Sequence, residues 1–294
     1  MQLTWLKAFH LVASHGGFTA ASNAMNVSQP TVSSQVKSLE QYYGVELFFR
    51  RGHKVELSPL GRSLSLVTSS LFGHEEEACS LLRSAKKLGH GELRLAAVGP
   101  HDVMKIVAAF KKKNPAITLS VALDHAPEVT RQLTDFKADV AVLAQQSQDA
   151  AFYSEAFSRH RIIVIAHPTH PLAARSNGTI ELQALAGESM IVRESGSTTR
   201  QSFERACQKN GVEVVTSMEL NSREAIIEAV SLGLGISVVA EPEFQPHPNL
   251  VALNFSNIEI SIGSFITCLA ERRNRPHIKL FFDVASTLRT TKSD

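Results

Sequence analysis

The chain has 294 residues, of which 44% are hydrophobic and 20% charged. That is the composition of a soluble globular protein, and the length exceeds one ordinary core and suits two or three folded units. The formal net charge is only +2, so any nucleic-acid partner must be sought in local motifs rather than in the charge of the whole.

Leu3, Leu6, Phe9 and Val12 recur at helical spacing and predict a first helix, stopped by His15-Gly16-Gly17. A second helix follows over Phe18–Met25, with Thr19 as its expected N-cap and Asn26-Val27 as a tight connection. Ser28 is placed to cap a third helix, with Pro30 in its first turn, where a missing N–H costs little. Val32, Val36 and Leu39 form the buried stripe of that helix, and Gln29, Thr31, Ser33, Ser34, Lys37 and Ser38 lie between them. An extended stretch from Gly44 to Phe49, the basic turn Arg50-Arg51-Gly52-His53-Lys54 and the alternating Val55-Glu56-Leu57 read as a hairpin with a positive tip.

Helix, tight turn, helix and basic hairpin is the order of a winged helix-turn-helix. In that reading the third helix enters a major groove and offers Ser28, Gln29, Pro30, Thr31, Ser33, Ser34 and Lys37. Gln pairs bidentately with adenine, hydroxyls meet several base edges, and apolar atoms touch the thymine methyl. Arg50, Arg51, His53 and Lys54 suit phosphates, and Thr19 and Ser33 add hydroxyls at helix ends. The same residues also fit a solvated helix face and an ordinary basic turn, so taken alone they leave both readings open.

From Leu60 the pattern Leu60, Leu64, Val67, Leu71, His74, Ala78, Leu81, Ala85, Leu88 steps by fours and threes, which is a coiled-coil seam. A lone helix gains little from such a stripe, so a partner copy is implied. Gly89-His90-Gly91 ends it. Beyond lie strand-like runs at Leu93–Val98, Ile117–Leu123, Asp139–Leu143, Ile162–Ala166, Met190–Val192, Met218–Leu220, Ile236–Val239, Leu250–Leu253 and Ile260–Leu269. Helix-like runs alternate with them at Val103–Lys112, Pro127–Phe136, Thr198–Lys209, Arg223–Leu232 and Pro276–Leu288. This alternation predicts an α/β domain with mainly parallel sheets, long enough for two lobes around a ligand cleft.

Arg193-Glu194-Ser195-Gly196-Ser197-Thr198-Thr199-Arg200 follows a strand and opens a helix. Hydroxyls and free N–H groups there suit an anion, with Arg193 or Arg200 adding charge; a plain capping loop is the alternative. Pro100 and His101, His125 to Glu128, Ala144 and Gln145, and Asn221 to Arg223 also follow strands, the edge at which open α/β sheets bind ligands. Asp102 reads as a helix cap.

Phe18-Thr19-Ala20-Ala21, Ser28-Gln29-Pro30-Thr31-Val32-Ser33, Leu39-Glu40, Leu47-Phe48, Arg50 and Leu57-Ser58 with Gly61 agree in one register with a known signature. Over about residues 1–65 the sequence resembles the LysR-type transcriptional regulators. The resemblance implies a winged helix-turn-helix over 1–59, a linker helix over 60–90 and an effector domain over 91–294 resembling periplasmic binding proteins. Its first lobe is expected at about 91–163 and 265–294, its second at about 164–264. It also implies double-stranded DNA and a small effector as partners, and a homodimer or a homotetramer. Ser34 and Ser38 depart from the commoner residues, and Ser58 stands where threonine is usual. Gly99-Pro100, Val142-Leu143-Ala144, the Arg193–Arg200 loop and Asn221-Ser222-Arg223-Glu224-Ala225 resemble the subgroup associated with 2-aminoethylphosphonate catabolism. That implies a phosphonate-like anion on the Ser/Thr/Arg loop and Glu128 on its amine.

No esterase elbow, zinc-protease motif or phosphate loop is present, so no enzyme activity is expected. His167-Pro168-Thr169-His170 lacks nearby carboxylate or thiol ligands and reads as surface punctuation rather than a metal site; no cofactor is expected. Cys79, Cys207 and Cys268 are odd in number and far apart, which argues against disulfides or zinc and fits a reducing cytoplasm; all three are expected to be buried and inert. Met1–Lys7 is no signal peptide and no apolar run spans a bilayer, so a cytoplasmic protein without a membrane partner is expected.

Overall fold

The computed structural model describes residues 2–51, 54–86 and 91–289. Two compact units part just before Gly91.

In the first unit, α1 (Leu3–His15) buries Leu6, Ala8, Phe9 and Val12 and ends where Gly16 takes a φ of 74°. The next helix, α2 (Phe18–Met25), packs through Ala21 and Ser22 and stops on Asn26 at a φ of 53°. Thr19 is not its cap: Gly17 holds that position, no side chain caps the helix, and Thr19 is an exposed residue of the first turn. Ser28 does cap α3 (Gln29–Tyr43), its Oγ accepting from the Thr31 N–H at 3.4 Å with Pro30 in the first turn. Val32, Val36 and Leu39 are at most 2% exposed and join Phe9, Val12 and Leu47 in one core. Burying each such side chain contributes roughly 1.5–3 kcal/mol before entropy is counted.

The hairpin of β1 (Phe48–Arg51) and β2 (Lys54–Leu57) pairs Phe48 with Leu57 and Arg51 with Lys54. Glu40, from α3, fixes its start: its Oε1 accepts from the N–H groups of Leu47 at 2.8 Å and Phe48 at 3.3 Å. The Ser58 hydroxyl donates to the Glu46 carbonyl at 2.7 Å and accepts from the Gly61 N–H at 2.9 Å, which starts α4 (Pro59–Lys86). Gly61 is obligatory there, since a Cβ would lie 2.2 Å from the Leu47 carbonyl oxygen.

Helix α4 carries two apolar faces. Gly61, Thr68 and Phe72 are buried on one; Leu60, Val67 and Leu71 are exposed on the other, with Leu64 half-buried. Leu88 lies outside the described residues. Cys79, expected to be buried, is exposed on this helix. Cys207 and Cys268 are buried, and burial pushes both thiols up to about 11.

The second unit runs β3 (Glu92–Ala97), α5 (Pro100–Lys113), β4 (Thr118–Leu123), α6 (Ala126–Thr134), β5 (Val140–Leu143), β6 (Phe152–Ala166), α7 (Pro171–Arg175) and β7 (Thr179–Ile180). It continues with β8 (Ser189–Arg193), α8 (Thr198–Lys209), β9 (Val215–Leu220), α9 (Arg223–Ser231), β10 (Ser237–Ala240), β11 (Val251–Phe255), β12 (Ser261–Leu269) and α10 (Pro276–Ser286).

The expectation of mainly parallel sheets is corrected. Strands β4, β3 and β5 are parallel, as are β8 with β9 and β7 with β11. The long strand β6, however, pairs antiparallel with β10, β11 and β12, and β12 runs antiparallel to β5. Two long strands crossing between cores make the sheet mixed. Phe157 on β6 and Ile266 on β12 belong to a first core with Leu93, Ile106, Phe110 and Phe281. Ile162 and Val164 on β6 belong to a second core with Met190, Phe203, Ile236 and Ile260. These cores are two lobes, and the chain passes between them on β6 and β12. No helix among the described residues is long and apolar enough to cross a membrane.

Candidate functional sites

On α3 the residues opposite the buried stripe are polar. Gln29, Pro30, Thr31, Ser34 and Lys37 are exposed, Ser33 is half-buried, and the exposed Ser28 precedes them. The Ser28 and Thr31 hydroxyls lie 2.8 Å apart. No carboxylate interrupts this face, because Glu40 is turned toward the hairpin backbone. A polar, anion-free helix face can meet base edges without repelling phosphate. Arg50, Arg51 and Lys54 lie on the hairpin strands; His53, at the tip, lies outside the described residues.

The cleft of the second unit has a volume of about 370 Å³. Four turns from strand to helix meet there: Gly99–Asp102 before α5, Asp124–Ala126 before α6, Gly196–Thr199 before α8 and Asn221–Glu224 before α9. Helix starts carry unsatisfied N–H groups and a partial positive charge, so four at one wall form a polar, anion-favouring rim. The Ser197 Oγ accepts from the Arg200 N–H at 3.5 Å and the Ser222 Oγ from the Ala225 N–H at 3.2 Å, so both cap their helices.

The charged side chains are mostly paired. Arg193 donates to both oxygens of Glu194 at 2.8 Å. The Arg223 Nε lies 2.6 Å from the Glu243 carboxylate, and its Nη2 donates to the Val98 carbonyl at 3.2 Å, from the second lobe to the first. On the crossing strand β6, His160 Nε2 lies 2.7 Å from Asp102 Oδ2, and Ser158 donates to the same oxygen at 2.7 Å. Burial alone would raise the Asp102 pKa; the hydrogen bonds from His160 and Ser158 outweigh it and hold the group at about 2. Burial lowers the pKa of His101.

Of the residues proposed from sequence, Pro100, His101, Arg193, Ser197, Thr198, Thr199 and Asn221 line the cleft. Four do not. Glu128 is turned to Arg131 on its own helix, at 2.9 and 2.8 Å. Arg200 meets Glu204 at 2.6 Å and Glu219 at 2.7 Å, outside the cleft wall. Ser195 and Gln145 are exposed beyond the lining. Asp102 does not cap α5 but holds His160. Sequence reasoning missed Asp124, His160, Glu243 and Ser264, which line the cleft. The alternating polar residues of Ser158-Arg159-His160 were the available signal.

A family model described as "Bacterial regulatory helix-turn-helix protein, lysR family" matches residues 3–62. Another, "LysR substrate binding domain", matches residues 86–288. The chain belongs to the LysR family of transcriptional regulators. Its matched families and relatives are regulators, not enzymes. This LysR-type regulator is 32% identical over 242 residues to the "RuBisCO operon transcriptional regulator" of Allochromatium vinosum, covering 82% of this chain and 80% of that one. A full-length OxyR from Pseudomonas aeruginosa superposes with a TM-score of 0.75 at 22% identity, over 97% and 94% of the two chains, and so shows the fold. The Synechocystis PCC6803 CcmR regulatory domain, solved in complex with 2-PG, has a TM-score of 0.62 at 25% identity, over 69% of this chain and 99% of that domain. LysR-type regulators bind DNA and a small-molecule effector and form oligomers.

Proposed function

We propose that this regulator reads an operator with α3 and changes its activity when a small anion with a phosphonate-like group enters the cleft. The four helix starts at one wall carry this reading, since a compact anion satisfies several free N–H groups at once. The cleft also holds the carboxylates of Asp124 and Glu224, which favour a ligand that donates as well as accepts. A zwitterion such as 2-aminoethylphosphonate meets both demands. Its phosphonate would lie on Ser197, Thr198 and Thr199, and its amine near those carboxylates rather than near Glu128. The CcmR complex favours 2-PG as the second reading. On DNA, Gln29 with its neighbours would meet bases while Arg50, Arg51, His53 and Lys54 meet phosphates. The regulator is proposed to act in the cytoplasm as a dimer or tetramer built through α4.

Calorimetry tests the effector. Both ligands are titrated into the wild-type chain and into Thr198→Val, which keeps the helix cap at Ser197 intact. A hydrogen bond to a charged group contributes about 1.5–3 kcal/mol, so the variant should bind roughly tenfold more weakly or worse. Heat from 2-PG alone would replace the phosphonate assignment; equal affinity in wild type and variant would remove the loop from the site.

A further inference from the structure

Behind the Arg223–Glu243 pair lies a second chamber of about 390 Å³. Its walls are apolar: Ile165 from β6, Val239 from β10, Ile227 from α9, and Phe244 and Leu250 from the segment between β10 and β11. Arg223 and Glu243 line both this chamber and the cleft, so the ion pair is a partition between them. The volume falls within the range of small-molecule sites, about 300–1,000 Å³.

The partition is not saturated. Arg223 uses Nε beside Glu243 and Nη2 on the Val98 carbonyl; among the described residues its Nη1 makes no hydrogen bond. Glu243 has a second anchor, because its Oε2 also accepts from the Ala240 N–H at 3.3 Å. An incoming carboxylate can therefore share the guanidinium while Glu243 stays held by its own turn. Five apolar side chains offer nothing to a hydrated ion but do accept a hydrocarbon body.

We propose that this chamber is a second ligand site, which takes a compact aryl or branched-alkyl carboxylate with its body on the apolar walls and its carboxylate on Arg223. The site goes beyond the anion cleft and shares one residue with it. Linkage then requires that occupancy of either site change the affinity of the other by the same factor.

The probe is 3-phenylpropanoate, added to the full chain without any phosphonate and followed by calorimetry and by methyl NMR. Saturable binding is expected, with shifts at the methyls of Ile165, Ile227, Val239 and Leu250. The uncharged 3-phenylpropan-1-ol should bind about tenfold more weakly, since it lacks the charge-assisted contact. Ile227→Trp fills the chamber and should abolish binding. Absence of heat at about 1 mM, shifts confined to Leu123, Val142, Leu143 and Ile262 in the cleft, or undiminished affinity in Ile227→Trp would each overturn the proposal. Should Ile227→Trp fail to fold, the wild-type methyl map decides alone. The phosphonate titration uses a different ligand, so failure of the cleft reading leaves this result standing.

Discussion

Asp102 ties the start of α5 to the crossing strand β6, and its chemistry makes a pH prediction. Its pKa is about 2 in the fold against 3.8 for a free side chain, and the side chain is 8% exposed. A depressed carboxylate contributes stability that is present above the unfolded pKa and is lost as pH falls through the folded one. The window therefore runs from about pH 4 down to about pH 2, and the shift corresponds to about 2 kcal/mol. Asp102→Asn should lower stability by that order at neutral pH and flatten the acid limb, as measured by denaturant titration at a series of pH values. An unchanged acid limb would remove Asp102 from the network. Glu40 supports a second test. Glu40→Ala leaves the Leu47 and Phe48 N–H groups without their acceptor, at about 1–3 kcal/mol for each group left buried and unsatisfied. Glu40→Gln retains an acceptor and should recover most of the loss in thermal unfolding.

Among the elements, α3 is the one whose face decides specificity. Gln29→Ala should relax preference at one base step by about 1–3 kcal/mol in a competition assay with altered operators. Lys37→Ala should weaken all duplexes alike and flatten the salt dependence. If Gln29→Ala leaves sequence preference untouched, another element reads the bases. Much of this element was legible in the sequence, because local physics fixes it: Ser28 caps, Pro30 fits the first turn, and Val32, Val36 and Leu39 share one stripe. The start and end of α8 were legible for the same reason. Thr19 was misread because Gly17 two residues earlier already starts α2, and a residue inside the first turn cannot cap it. The first half of β6 was missed because Phe152–Arg161 mixes charged and apolar residues where it crosses between cores. The sheet's mixed sense was missed because it depends on pairing β6 with β12, about a hundred residues away, which no local pattern records. Within the cleft, the loop Ser197–Thr199 was visible as hydroxyls before a helix, whereas His160 and Glu243 join it only through the tertiary fold.

At the scale of the whole molecule, the exposed stripe of Leu60, Val67 and Leu71 on α4 predicts association. Leu71→Asp would bury a charge in that seam and should shift the chain to monomer by light scattering at micromolar concentration, with the effector domain still folded by circular dichroism. A wild-type monomer under those conditions would refute the seam. The two crossing strands have a consequence for biosynthesis. Every residue of the second lobe's core, from Ile162 to Ile260, is contiguous in the chain, whereas the first lobe's core needs Ile266 and Phe281 from the far end. As the chain leaves the ribosome, the second lobe can close while the first still lacks β12, the strand that joins β5 to β6. The lobe begun first is completed last, and until then the apolar face prepared by β3 and α5 is exposed to whatever holds nascent chains apart.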